Sequence, residues 1–154
     1  MANEKTSNSK AIIAEKLGVV LGTSYMLQVK TQNFHWNVTG PSFGQLHILF
    51  ETQYSEIQAA VDEIAERIRA LDAVSPGSFA DFGKLSEIKD APSKPPADKV
   101  MIKMLADDNA ALSKLCTDVG TFADDAGDTA TGDLMNGRIA AHDKAAWMLR
   151  AHLQ

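Results

Sequence analysis

The chain has 154 residues, 45% of them apolar and 23% charged, which suits one globular domain able to fill a core and excludes wholesale disorder or a collagen-like repeat. Its net charge of −5 argues against a generally basic nucleic-acid binder, while leaving room for a local basic patch. A single cysteine, Cys116, excludes a scaffold held by intrachain disulfides and fits a reducing, cytoplasmic setting.

Four segments carry the apolar rhythm of helices. The first, at about 9–37, sets Ile13, Leu17, Val20, Leu27 and Phe34 on one stripe, with Ser24 and Thr31 at the intervening positions. Residues 1–9 read as a flexible tail before it. The apolar cluster Ala11-Ile12-Ile13-Ala14 runs straight into Glu15-Lys16, too short for a signal peptide or a membrane span. The short joint from Val38 to Gly44 makes the next helix, at about 43–72, an antiparallel neighbour. That helix has the clearest stripe: Phe50, Tyr54, Ile57, Val61, Ile64, Ile68 and Leu71.

A long connection follows, from about Ala73 to Ala97, holding Pro76, Gly77, Pro92, Pro95 and Pro96. It is long enough to cross a bundle, with a short extra helix at Phe79 to Ile88. The third main helix, at about 98–123, carries Met101, Leu105, Leu112, Leu115, Val119 and Phe122. The fourth, at about 129–152, carries Met135, Ile139, Ala146, Leu149 and Leu153. No stretch sustains strand alternation. Two helical hairpins joined by one long crossover form an all-α, ferritin-like four-helix bundle rather than a simple up-down-up-down bundle. The whole of 1–154 reads as a single domain.

The second helix also carries His47, Glu51, Asp62 and Glu66. His47 and Glu51 are one turn apart, as are Asp62 and Glu66, and Glu51 and Asp62 point within about 20° of each other. His35 stands near the end of the first helix. Imidazole nitrogen with carboxylate oxygen suits iron, manganese or zinc, and a carboxylate-rich set with open positions favours iron redox chemistry. Distance constrains how these groups combine. His47 and Asp62 lie roughly 22 Å apart along the helix axis, a gap that metal–ligand bonds of about 2.0–2.2 Å do not bridge. Either the pairs are two half-sites without a joint role, or two chains related by a two-fold axis share one site. A solvated, charged bundle surface, with Asp62 and Glu66 beside Arg67 and Arg69, is the plain alternative.

The run Asn33-Phe34-His35-Trp36-Asn37-Val38-Thr39-Gly40, then His47 with Leu49-Phe50-Glu51, then Asp62-Glu63-Ile64-Ala65-Glu66-Arg67, closely resembles the Dps family, the DNA-binding proteins from starved cells or mini-ferritins. The spacing His-x11-His-x14-Asp-x3-Glu carries the match over about residues 33–72, and Asp143-Lys144 to Trp147 extends it. The resemblance implies a homo-oligomeric hollow shell, built from two-fold dimers into a dodecamer. It implies oxidation of Fe(II), preferably with hydrogen peroxide, and storage of ferric oxide. His35 and His47 would come from one subunit, and Asp62 and Glu66 from its two-fold partner. Glu51 would bind or orient a second iron. Trp36 falls where the family keeps an aromatic residue beside the centre, either to intercept stray radicals or as packing at the interface. Zinc is expected only as an adventitious occupant.

Seven aspartates lie between 107 and 133, with Lys114 the only basic residue among them. Such a cluster is most often a solvated turn with an N-cap, here Asp128 or Thr129. Repeated around a three-fold axis it would form an acidic funnel for cations. The resemblance places the family's iron pore there, with Asp133 at the constriction and Asp128 and Asp125 outside it. DNA binding is expected to be weak or absent, because Lys5, Lys10 and Lys16 are set against Glu4 and Glu15 and no basic tail follows the last helix. His142, near the core face of the last helix, reads as a satisfied packing residue rather than a ligand, and Cys116 as a buried or half-buried thiol. The reading from sequence is thus a cytoplasmic ferroxidase and iron store that protects DNA. The alternatives are a nucleoid-compacting DNA binder and a bundle whose metal site is vestigial.

Overall fold

A computed structural model describes residues 2–154, with side chains from residue 8 onward. Its elements are α1 (Ala2–Asn37), α2 (Phe43–Ala70), α3 (Phe79–Leu85), α4 (Asp98–Asp125) and α5 (Thr129–Ala151), and no strand occurs among the described residues. α1 pairs with α2 and α4 with α5, and α1 also packs on α4 and α3. The two hairpins and the crossover bearing a short helix are the expected ferritin-like bundle. α3 ends at Leu85, short of the expected Ile88, because Ser86 turns to extended geometry and its hydroxyl bridges the N–H and C=O of Ile88.

α1 begins at Ala2 rather than near residue 9. Residues 3–10 carry no apolar stripe, so the periodicity that marks a core-facing helix gives no sign of one there. The tail expected over 1–9 falls on that continuation, where side chains before residue 8 lie outside the described residues. From Asn8 to Asn37, α1 is also long and apolar enough to cross a membrane by length and composition alone, a test that a buried core helix passes too. Most of that apolar surface is buried inside the bundle, including Ile13, Leu17, Val20, Leu27 and Phe34.

The joints follow from local chemistry. α2 ends in a Schellman motif: Ala73 N–H donates to Ile68 C=O and Asp72 N–H to Arg69 C=O. Asp72 takes φ 65° there, the position where glycine is usual and Asp is tolerated. α4 ends the same way through Asp128 N–H to Ala123 C=O and Gly127 N–H to Asp124 C=O. Gly127 supplies φ 79°. Asp128 then caps α5, its carboxylate accepting from the Thr131 N–H. The close approach of α3 to α1 depends on Gly22, where a Cβ would lie 2.8 Å from Leu85 Cβ and 3.2 Å from the Phe82 carbonyl oxygen.

The core contains two polar devices. Lys30, 1% exposed, places its Nζ 2.7 Å from Asp108 Oδ2 and ties α1 to α4. Burial raises the Asp108 carboxyl above the usual carboxylate range even though Lys30 pulls the other way. The second device crosses α2, α5 and α4. Both Arg138 Nη atoms donate to the Glu56 carboxylate. Arg138 Nη2 also lies 3.1 Å from His142 Nε2, and His142 Nδ1 donates to Asn109 Oδ1 at 2.9 Å. His142 is thus the buried packing residue expected, and desolvation with the Arg138 charge pushes its pKa down to about 3. Cys116 is fully buried in the core, and burial lifts its thiol to about 12.

Candidate metal centre

The joint between α1 and α2 brings His35 and His47 together. Val38 N–H closes on Phe34 C=O, Gly40 turns the chain at φ 108°, and Phe43 N–H returns to Gly40 C=O. The last turn of α1 then lies beside the first turns of α2. The two imidazoles stack with centroids 3.8 Å apart and planes 17° from parallel.

Their hydrogen bonds are reciprocal. His35 Nδ1 lies 2.7 Å from the His47 carbonyl oxygen, and His47 Nδ1 lies 2.8 Å from the His35 carbonyl oxygen. A carbonyl oxygen only accepts, so each Nδ1 must carry the proton. In the neutral ring each Nε2 therefore keeps its lone pair, as a metal-binding imidazole requires. Each helix uses its own backbone to set the tautomer on the other helix. Phe43 and Tyr54 pack around the pair: the Phe43 ring is 5.0 Å from His47, and Tyr54 meets His35 edge-on at 5.3 Å. His35 is 7% exposed and His47 half-buried. Trp36, next to His35, is 65% exposed.

The carboxylates stand on α2 and face solvent. Glu51 is one turn beyond His47, and Asp62 and Glu66 lie toward the other end of the helix. Asp62 borders a cleft of about 400 Å³ between α1, α2 and α3, walled in part by Tyr25, Val61 and Phe82. The arginines that the sequence set beside Asp62 and Glu66 are engaged elsewhere. Arg67 donates to Asp128 at 2.7 Å and to Thr131 Oγ1, and Arg69 donates to the Ala73 carbonyl oxygen. Among the described residues no three His, Cys, Asp or Glu side chains converge to hold one metal ion. One chain thus brings together the histidine pair but not the histidines with Asp62 and Glu66. The donor set suits a redox metal: two imidazoles at one end, two exposed carboxylates at the other, and an exposed Glu51 between.

The acidic region at the α4–α5 joint divides in two. Asp133 and Asp125 are exposed. Asp128 carries the helix cap, accepting from Thr131 N–H and Oγ1 as well as from Arg67, and these partners hold its carboxyl below its usual range despite partial burial. Asp124, counted among the seven aspartates but given no role of its own, folds its carboxylate against Gly132, where a Cβ would lie 2.0 Å from Asp124 Oδ1. Gly132 was the readable signal for it. Tyr54 was also missed as a neighbour of His35. Its place on the apolar stripe of α2 made it look like core, and only the turn of the α1–α2 joint brings His35 over it.

A family model described as Ferritin-like domain matches residues 14–154. The DNA protection during starvation protein of Brevibacillus brevis is 33% identical over 145 residues, 93% of this chain and 95% of that protein. The crystal structure of Dps from Thermosynechococcus elongatus superposes with TM-score 0.92 at 29% identity, covering 97% of this chain and 94% of the other. A Dps protein from Vibrio cholerae O1, described as a member of a broad superfamily of ferritin-like diiron-carboxylate proteins, superposes with TM-score 0.92 at 30% identity, covering 96% and 92% of the two chains.

Proposed function

The chain belongs to the ferritin-like proteins, in their Dps family, and from this we propose that it is an iron-storage and detoxification protein. It oxidises Fe(II), preferably with hydrogen peroxide, at centres shared between two copies of the chain. The ferric product is stored as an oxide inside a hollow, dodecameric shell, and removing iron and peroxide together protects DNA. The family and fold support iron storage and DNA protection in general. The finer reading rests on one observation: the reciprocal clamp that fixes Nδ1–H on both His35 and His47 and leaves two Nε2 lone pairs ready for a cation.

In this reading His35 and His47 of one subunit face Asp62 and Glu66 of its partner, with Glu51 beside a second Fe(II). Iron is substrate here, and the protein supplies placement and charge. Two Fe(II) ions each give one electron to a single peroxide. Its O–O bond breaks, two protons are taken up, two waters form and two Fe(III) ions remain. Delivering both electrons together avoids the one-electron cleavage that would release hydroxyl radical. Few protein ligands per iron leave positions open for peroxide and let the product move on to storage.

The test adds Fe(II) anaerobically to purified protein, injects sub-stoichiometric peroxide, and follows ferric absorbance. The wild type is expected to consume about two irons per peroxide, as that electron count requires, and a His35→Ala, Asp62→Ala double variant to lose the rapid phase. Equal slow rates in both proteins would overturn the reading. We further propose that the exposed Asp133 lines the cation path into the shell. Asp133→Asn is then expected to slow iron uptake without lowering the melting temperature, checked by stopped-flow absorbance beside thermal unfolding. Unchanged uptake would remove Asp133 from the path.

A further inference from the structure

α2 and α5 meet more sparsely than any other pair of packed helices, and a cleft of about 230 Å³ opens between them, backed by the buried Asn109 of α4. Ala141 and Ala145 line it from α5, and side chains this small leave the space between the helices unfilled. Ile57 and Met148 complete its apolar lining. The cleft is roomier than the apolar cavity of roughly 150 Å³ that takes up benzene. None of His35, His47, Glu51, Asp62 or Glu66 lines it. Its polar groups differ in what they have left to offer. Asn109 is committed, donating to the Leu105 carbonyl oxygen and accepting from His142. Glu56 is neutralised by both Arg138 Nη atoms. Gln53 is only 8% exposed, its Nε2 reaches the Ala145 carbonyl oxygen at a long 3.4 Å, and its Oε1 has no hydrogen-bond partner among the described residues.

We infer that this cleft is a binding site for a neutral, flat aromatic molecule carrying one N–H or O–H donor, its ring among Ile57, Ala141 and Met148 and its donor on Gln53 Oε1. A buried acceptor without a partner is costly, and a donor brought in by a ligand removes that cost. The terminal torsion of a glutamine amide is soft, and the long bond to Ala145 resists little, so a small rotation turns the oxygen toward an incoming donor. Two further groups favour an aromatic ring over an aliphatic alcohol. The Met148 thioether makes favourable contacts with aromatic rings. Lys144, exposed on the lining, carries an ammonium that is drawn to the face of a ring. An aromatic anion fits less well, because it would meet the Glu56 carboxylate and bring no donor to Gln53. A ligand held in this way bridges α2 and α5 where the bundle is most loosely joined.

The test uses the purified full-length protein, needs no iron, and takes indole as its probe, a neutral bicyclic ring whose N–H only donates. Isothermal titration is expected to give a dissociation constant on the order of 0.1 mM, in keeping with a ligand of this size. At about ten times that concentration indole should raise the melting temperature by about 3–5 °C. 1-Methylindole, the same ring with its donor blocked, is expected to bind about tenfold more weakly, the usual worth of one neutral hydrogen bond. Gln53→Leu should bind the two compounds equally, because the acceptor that tells them apart is gone. Ala141→Leu, which fills the cleft, should bind neither while melting no lower than wild type. Equal affinity of the wild type for indole and 1-methylindole would overturn the donor contact, and so would discrimination that survives in Gln53→Leu. Undiminished binding by a folded Ala141→Leu would place the ligand elsewhere. No detectable binding of indole at millimolar concentration would overturn the site, as it would if a second copy of the chain covered the cleft.

Discussion

Lys30→Met is expected to destabilise the fold by about 3–5 kcal/mol, the usual result of removing one partner of a buried ion pair. Lys30 lies 1% exposed between α1 and α4, and its ammonium is the cation facing Asp108 at 2.7 Å. Desolvation already raises the Asp108 carboxyl with Lys30 in place. Without Lys30 the folded state must hold a partly buried carboxylate with no counter-charge or protonate it. For a chain of this size the melting temperature should fall on the order of 10 °C. Two readouts separate this cause from loss of packing. The deficit should shrink as pH falls, since an acid with a raised folded pKa binds its proton in the folded state first. Lys30→Met with Asp108→Leu should recover most of the loss, because replacing both partners by apolar groups is often nearly neutral. Thermal and urea unfolding followed by circular dichroism at pH 7.5 and 5 would measure both. A Lys30→Met protein as stable as wild type would show that the pair contributes nothing net.

Acid is expected to destabilise the bundle through His142 by an amount of similar size. The folded pKa of His142 is pushed down to about 3 by desolvation and by Arg138, whereas the unfolded chain takes up this proton near pH 6.5. Below pH 6.5 the unfolded state therefore binds more protons, and stability falls as pH falls. At roughly 1.4 kcal/mol per pH unit, the loss reaches about 4 kcal/mol by pH 3.5. Asp128, held below its usual range by Thr131 and Arg67, adds a loss of the same sign at the acid end. Asp108, raised by burial, opposes it. His142→Gln tests the assignment because glutamine can accept from Arg138 and donate to Asn109 without titrating. Urea midpoints measured from pH 7 to 4 should fall steeply in the wild type and less steeply in His142→Gln. Parallel curves would assign the acid sensitivity to other groups.

The fold was largely legible because its signals are local and repeated. The stripe from Phe50 to Ile68 on α2 is buried as read apart from the half-buried Tyr54, and the turn residues Gly40 and Gly127 sit where left-handed backbone is needed. The start of α1 was less legible, because residues 3–10 are all polar and periodicity reports only burial. The partners of the buried polar groups were illegible too. Lys30 and Asp108 are separated by 78 residues and Glu56 and Arg138 by 82, and a single sequence carries no mark of which charge meets which across a bundle.

For the site, the sequence by itself determined the donor types and one negative fact: groups as far apart as His47 and Asp62 on one straight helix do not reach the same ion, because helical rise per residue is fixed. Helix spacing also placed the carboxylates of α2 near one face. Only the tertiary structure decided how the histidines are held. The α1–α2 turn stacks two rings from different helices and gives each Nδ1 the other's backbone carbonyl oxygen, a choice of tautomer that depends on where a distant backbone lies. Tertiary packing likewise drew Arg67 away from Asp62 and Glu66 to the α4–α5 joint, leaving those carboxylates on an exposed helix face. Local spacing fixes which residues share a face, whereas long-range packing fixes which of their atoms remain free.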